Sequence, residues 1–222
     1  MKYSYSSIAT YKQCPAKFEF AYITKPDVPG IPPGPALERG TTIHNSVEDY
    51  LNGSVEFLHP DIHSNYGQFM LGIREGPGDI RPEWEWGITW EFKPCAYDAA
   101  DCMLHGYMDL VILPEDTNAS IDLYEWKTGK IYREPHNDQI NKYSIALMSH
   151  FPEYPGVDAM LTYFDQHDYK KVAYPQTMMF EYKPALRREI GTIADATRFP
   201  TMPSFKCKWC KFSRHNGGPC QF

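Results

Sequence analysis

The apolar positions of the chain change period several times, and each change predicts an element. Ser4 and Ser6 stand as helix caps before a short segment reaching Tyr11; Cys14-Pro15 punctuates it, and a second short helix is expected over 16–22. The proline-rich stretch 25–35 reads as loop, because a prolyl nitrogen donates no backbone hydrogen bond. A helix is expected over 35–51, stopped by Asn52-Gly53, with His44, Val47 and Leu51 at i, i+3 and i+7 on its buried stripe. Residues 56–80 show no clear period, whereas 84–92 alternates as a strand does. The runs 103–113 and 121–127 form a predicted hairpin, followed by a helix over 137–150 and strands over 157–164 and 169–174 around the turn 165–168. Ala185, Leu186, Ile190, Ile193, Ala194 and Thr197 recur at helical spacing before a cysteine-rich tail. Strands alternating with helices predict an α/β chain, a mixed central sheet flanked by helices in a single domain over 1–222.

Charge enters at one end of the hairpin. Pairing the strands symmetrically about Thr117 sets Leu113 against Ile121, Val111 against Leu123 and Asp109 against Glu125, with Lys127 further along the same face. An apolar stripe thus runs into three charges. Two carboxylates in directly opposite positions repel unless a cation sits between them, and a hard divalent ion such as Mg²⁺ or Mn²⁺ suits oxygen donors. The ordinary alternative is a solvated strand end on which Lys127 simply pairs with Glu125.

Composition narrows the setting. The chain is long enough for a real core, and a hydrophobic share of 42% beside 23% charged residues excludes a disordered tail. Its net charge of −6 does not advertise a polyanion binder, so any such surface must be local; Lys206, Lys208, Lys211 and Arg214 are the candidate cluster, and a solvated charge run is the plain alternative. The N-terminus lacks a signal-peptide core and no run approaches a bilayer span, so a cytoplasmic, membrane-free protein is expected. There clustered thiols hold metals more often than disulfides. Cys207 and Cys210 form a C-x2-C pair and Cys220 follows in a Gly/Pro-rich loop; a four-thiolate site needs one more ligand, and Cys14, Cys95 and Cys102 are the candidates.

Several stretches in order carry a resemblance. Ser4 through Phe18 resembles the Ser-x-Ser…Tyr-x-x-Cys-Pro…Phe opening, and Gly40 through His44 the Gly-x-x-x-His helix, of the PD-(D/E)xK nuclease superfamily. Gly106-Tyr-Met-Asp109, Glu125-Trp-Lys127 and Gln139-Ile-Asn-Lys-Tyr143 continue the likeness, which is nearest to the RecB-like and CRISPR-associated iron-sulfur exonucleases. The resemblance implies a restriction-endonuclease-like core in which Asp109, Glu125, His44 and the backbone carbonyl of Trp126 hold Mg²⁺ or Mn²⁺, and Lys127 is the catalytic lysine. Imidazole suits Mn²⁺ better than Mg²⁺. A core histidine is the ordinary alternative for His44. Gln139 and Tyr143 would point at bound DNA, or else Tyr143 packs in the core with Ile140 and Leu147.

The same resemblance implies a [4Fe-4S] cluster on Cys14, Cys207, Cys210 and Cys220 that joins the terminal segments 1–24 and 185–222, with Zn²⁺ as the rival occupant and Cys95 and Cys102 as ordinary buried thiols. The spacing between Cys210 and Cys220 is longer than the family's commonest pattern. The implied activity is DNA exonuclease or end processing, on single-stranded or frayed ends. No helicase-type phosphate-binding loop occurs, so an unwinding or recombination partner would be another chain. The alternatives are a non-catalytic DNA-binding or assembly module on the same fold, and a zinc-binding interaction protein.

Overall fold

The computed structural model describes residues 1–32 and 34–222; Pro33, within the expected loop, lies outside them. Helix α1 (Tyr5–Gln13) begins where Ser4 and Ser7 form a reciprocal cap, each hydroxyl accepting the other residue's backbone N–H. Ser6 lies inside the helix. After Cys14, α2 (Pro15–Phe18) runs into a π-helical turn over Glu19–Thr24, so the second expected helix ends two residues later than its apolar pattern. Helix α3 (Pro35–Leu51) has the expected bounds.

The stretch without a readable period contains α4 (Pro60–Arg74). Its cap is His59, whose Nδ1 accepts the Asp61 N–H, and Gly67 and Gly72 dilute the buried stripe of Ile62, Met70 and Ile73. Both features hide a helix from pattern reading.

Six strands follow: β1 (Asp79–Thr89), β2 (Pro94–Cys95), β3 (Cys102–Leu113), β4 (Ile121–Lys127), β5 (Gly156–Tyr163) and β6 (Asp168–Pro175). Helix α5 (Arg133–His150) connects β4 to β5, and α6 (Met179–Ala194) follows β6. Helix α6 begins earlier than expected, tolerating Pro184 within its second turn, and leaves Thr197 beyond its end. The sheet order is β2-β1-β3-β4-β5-β6, antiparallel except for the β4/β5 pair joined through α5. This is a mixed sheet flanked by helices, the arrangement of a restriction-endonuclease-like core.

Each face of the sheet has its own core. Ile121 and Leu123 of β4 join Ile140 and Leu147 of α5, Leu186 and Ile190 of α6 and Ile8 of α1. The intervening Tyr124 and Trp126 meet Ile43 and Val47 of α3 and Ile62 of α4 on the other side. Strand β4 is therefore packed on both faces, with Glu125 enclosed and Asp122 and Lys127 half-buried.

Helices α1, α5 and α6 are also joined through a buried ammonium group. Lys142, with only 2% of its side chain exposed, lies 2.5 Å from Asp138 and 3.1 Å from Glu189, and Lys12 of α1 contacts the same two carboxylates. Two cations compensate two acids here, with Lys142 enclosed and Lys12, Asp138 and Glu189 still partly exposed. Truncating Lys142 to Ala leaves Asp138 and Glu189 undercompensated and opens a cavity, so urea unfolding of Lys142→Ala should show a loss of about 2–4 kcal/mol. An unchanged unfolding midpoint would remove this network from the forces holding the three helices.

Candidate active site

The β3/β4 ladder has the symmetric register about Thr117, with partners Ile112–Asp122, Val111–Leu123 and Leu110–Tyr124. It ends one step short of Asp109 and Glu125. There the Asp109 side chain replaces the ladder: its Oδ2 accepts the Trp126 backbone N–H at 2.6 Å. The strands part at this point, and the opening exposes Asp109 to α3. Its other oxygen, Oδ1, lies 3.3 Å from Nδ1 of His44.

On the far side of Asp109, β1 is distorted. Pro82 pairs with Leu110 and Trp84 with Met108, which leaves Glu83 opposite Asp109 but outside the ladder, with a left-handed backbone (φ 44°). A non-glycine residue held in that region stores strain and projects its side chain away from the normal pleat. The result is a cluster: one donor atom each from His44, Glu83 and Asp109 lie within 4.8 Å of one another. Burial and the charges of Asp109 and Glu48 push the Glu83 carboxyl up to about 7, against the opposing pull of His44. Sequence reading missed Glu83, since the strand pattern starts only at Trp84 and Pro82 argues against a strand there.

Glu125 is nearly enclosed, with 4% of its side chain exposed. Its Oε1 accepts from Lys127 Nζ at 2.6 Å and from Gln139 Nε2 at 2.6 Å, whereas its buried Oε2 has no hydrogen-bond partner among the described residues. Burial first, then the charge of Asp109, raises its pKa against the pull of Lys127 and His44. Burial opposes the charge on Lys127, but the carboxylates of Glu125 and Asp109 outweigh it and raise its pKa, so the ammonium form is held firmly. His44 is likewise raised: burial lowers it, and the hydrogen bond and charge of Asp109 overcome that effect.

Gln139 and Tyr143 lie behind these groups. Gln139 is 8% exposed and Tyr143 7%. The amide of Gln139 donates to Glu125 and to the Tyr143 hydroxyl at 3.1 Å, and its oxygen accepts from Lys127 at 2.9 Å. The Tyr143 ring packs edge-on against Trp86, 5.7 Å between centroids. Both side chains are buried, and Tyr143 lies in the core as its alternative placement had it. The reason is that α5 packs directly on β1, β4 and β5, so the helix face carrying the pair is the core face.

Helix α3 is brought close by Gly40, where an added Cβ would lie 3.1 Å from the Thr128 hydroxyl just past β4. Arg39 beside it reaches Asp165 at 2.8 Å and Asp61 at 3.2 Å, and Asp165 accepts the Gly129 N–H at 2.6 Å. An open cleft of about 390 Å³ runs between α3 and the end of β4, lined by Gly40, Thr41, His44, Trp126, Lys127 and Thr128. His44 and Lys127 thus face the same solvent-accessible groove from opposite walls.

The cysteines form a separate site. Cys14, from the junction of α1 and α2, lines one cavity of about 240 Å³ together with Cys207, Cys210 and Cys220. All four are half-buried and free. Cys102 is buried in the sheet and Cys95 only half-buried beside it, both outside that cavity. Among the described residues no helix is long and apolar enough to cross a membrane.

Comparison with known proteins agrees with this architecture. The crystal structure of SSO0001 superposes with a TM-score of 0.51 over 95% of this chain and 83% of that one at 13% identity, a likeness of fold alone. No curated protein sequence matches the chain. The family model of the PD-(D/E)XK nuclease superfamily matches residues 2–68 and 74–215, which span α3, the splayed hairpin and Cys207 and Cys210 of the tail but not Cys220. A strand pair that parts at an aspartate beside a buried glutamate and lysine, under a family match of this extent, places the chain in the PD-(D/E)XK nuclease superfamily.

Proposed function

We propose that the protein is a divalent-metal-dependent DNA exonuclease or end-processing nuclease, with the ion held by Asp109, Glu125, His44 and the Trp126 carbonyl and assisted by Glu83. The observation that carries this reading is the buried Oε2 of Glu125, a carboxylate oxygen without a hydrogen-bond partner among the described residues, beside the charge of Asp109. A lone pair so desolvated is costly unless a cation occupies the space in front of it. The three donors of His44, Glu83 and Asp109 lie close enough together to share one, and an imidazole among carboxylates favours Mn²⁺ over Mg²⁺. A bound divalent ion supplies polarisation of the phosphate and acidification of water at neutral pH.

The protein groups perform the remaining work. Lys127, whose ammonium form Glu125 and Asp109 favour, supplies a positive charge against the charge that develops on the phosphate. Gln139 holds both ends of the Glu125–Lys127 pair, which fixes the separation of carboxylate and ammonium group before substrate arrives. Asp109 uses one oxygen to fix the β4 backbone and turns the other to His44. The groove between α3 and β4 gives a phosphodiester access to both His44 and Lys127.

For the cysteine site we infer a [4Fe-4S] cluster on Cys14, Cys207, Cys210 and Cys220. Tetrahedral zinc with Zn–S bonds of about 2.3 Å needs sulfurs about 3.8 Å apart. Among the described residues no three thiol sulfurs come within 4.8 Å of one another, yet all four line one cavity, the arrangement that a bulkier inorganic core fits. Its bonds would tie α1 to the C-terminal tail. The net consequence is a structural clasp.

Replacing Lys127 or Asp109 by Ala should cut Mn²⁺-dependent degradation of end-labelled DNA by at least about 100-fold while circular dichroism stays native; undiminished cleavage sinks the nuclease reading. Glu83→Gln should raise the Mn²⁺ concentration for half-maximal activity by about 10–100-fold. An unaltered requirement removes Glu83 from the ion's surroundings. Protein purified without air should be brown with four irons per chain, about the count such a cube holds, and Cys207→Ser should lose both colour and iron. Colourless protein with one zinc per chain overturns the cluster assignment.

A further inference from the structure

The cysteine tail carries more than thiols. Between Ala196 and Phe222 the sequence has five basic residues and no acidic one, although the whole chain is at −6. Lys206, Lys208, Lys211 and Arg214 are all exposed, and none makes an ion pair among the described residues. Set among them are two of the most exposed aromatic rings of the protein, Phe205 at 74% and Trp209 at 60%, standing edge-on 6.0 Å apart. Lys208 lies 3.9 Å from the Trp209 ring centre, so a cation and a π-face are already held together.

A folded protein gains nothing by leaving an indole and a phenyl ring in water between four unpaired cations. The free energy is recovered when a partner supplies both flat apolar faces and a line of negative charge. Single-stranded nucleic acid supplies both: its bases stack on aromatic rings and its phosphates pair with the flanking lysines. Duplex DNA hides its bases, and an acidic peptide offers charge without stacking faces.

The position fits a strand on its way to the catalytic centre. Tyr5, at the start of α1, feels the charges of Lys127 and Glu125, and Gln13 and Cys14 at its other end line the cysteine cavity that Trp209 also lines. The helix between them covers about 14 Å at 1.5 Å per residue.

We propose that Phe205 and Trp209, with Lys206, Lys208, Lys211 and Arg214, form a stacking platform that binds single-stranded DNA about one helix length from the catalytic groups. The substrate class rests on the nuclease reading; the binding site itself does not depend on Lys127 or on the divalent ion. Two or three bases lie over the exposed rings, and the lysines follow the backbone. The cysteine site holds the platform against α1.

The test is fluorescence anisotropy with a dye-labelled mixed-sequence single strand and the full-length protein in EDTA, so that binding is read without cleavage. Trp209→Ala and Phe205→Ala should each weaken binding by about ten-fold, and Trp209→Phe should restore most of it. Changing Lys206, Lys208 and Lys211 together to Gln should flatten the slope of log affinity against log salt by about 2, from roughly 0.7 per phosphate contact. Duplex DNA without free single strands should bind less tightly than the single strand, and Trp209→Ala should shrink that preference. Visible absorption and circular dichroism verify that each variant keeps its tail, and Phe205→Ala alone decides the matter if Trp209→Ala does not fold. Undiminished single-strand affinity in both aromatic variants, or an unchanged salt slope, overturns the platform and points to a protein partner. Failure of the nuclease reading is distinguishable, because it appears as DNA bound but not cut when Mn²⁺ is added to the unmodified protein.

Discussion

The structure depends on one electrostatic constraint: a carboxylate, Glu125, sits in the interior within reach of a second one, Asp109. Such a pair repels in a medium that screens poorly, and the protein holds it by surrounding it with compensating groups. Lys127 and Gln139 cover one oxygen of Glu125, and the Trp126 N–H and His44 engage Asp109. The other oxygen of Glu125 is buried with no hydrogen-bond partner among the described residues. The rest of the architecture delivers these groups to one point.

Delivery requires the sheet to open locally. A regular hairpin would bury Asp109 and Glu125 as a cross-strand pair; the Asp109 side chain instead takes a backbone N–H from β4, and Glu83 on β1 adopts a left-handed conformation at the same level. Both irregularities fall on the row of the sheet that holds the site, with β3 between them. Strain of this kind persists only where packing on both sides overdetermines it. Here the Val111 and Leu123 core lies on one face and the Leu110 and Trp126 core on the other. The two cores clamp β4 while its end stays open to the groove beneath α3.

The terminal segments meet the core through α1. Helix α1 is held to α5 and α6 by the Lys12, Asp138, Lys142 and Glu189 group, and its C-terminal end reaches the cavity of the four cysteines. One rigid element therefore connects the cysteine tail to the neighbourhood of Lys127.

Local signals determined much of this protein. The hairpin register about Thr117, the bounds of α3 with His44 on it, and the proximity of Asp109, Glu125 and Lys127 follow from side-chain periods and from turn placement, which act over a few residues. Convergence of Cys14 on the tail cysteines was legible only through resemblance to a family, since spacing left three candidates for the fourth thiol. Tertiary structure alone decided the rest. Glu83 reaches the site because β1 leaves its ladder with β3 at that residue, in a left-handed backbone beside Pro82, which brings together residues 26 positions apart that no period encodes. Gln139 and Tyr143 turn inward because α5 lies across the sheet, and a helix pattern states which residues share a face without stating what that face meets. Short-range sterics write themselves into sequence, whereas the choice of neighbour is made by the packing of whole elements.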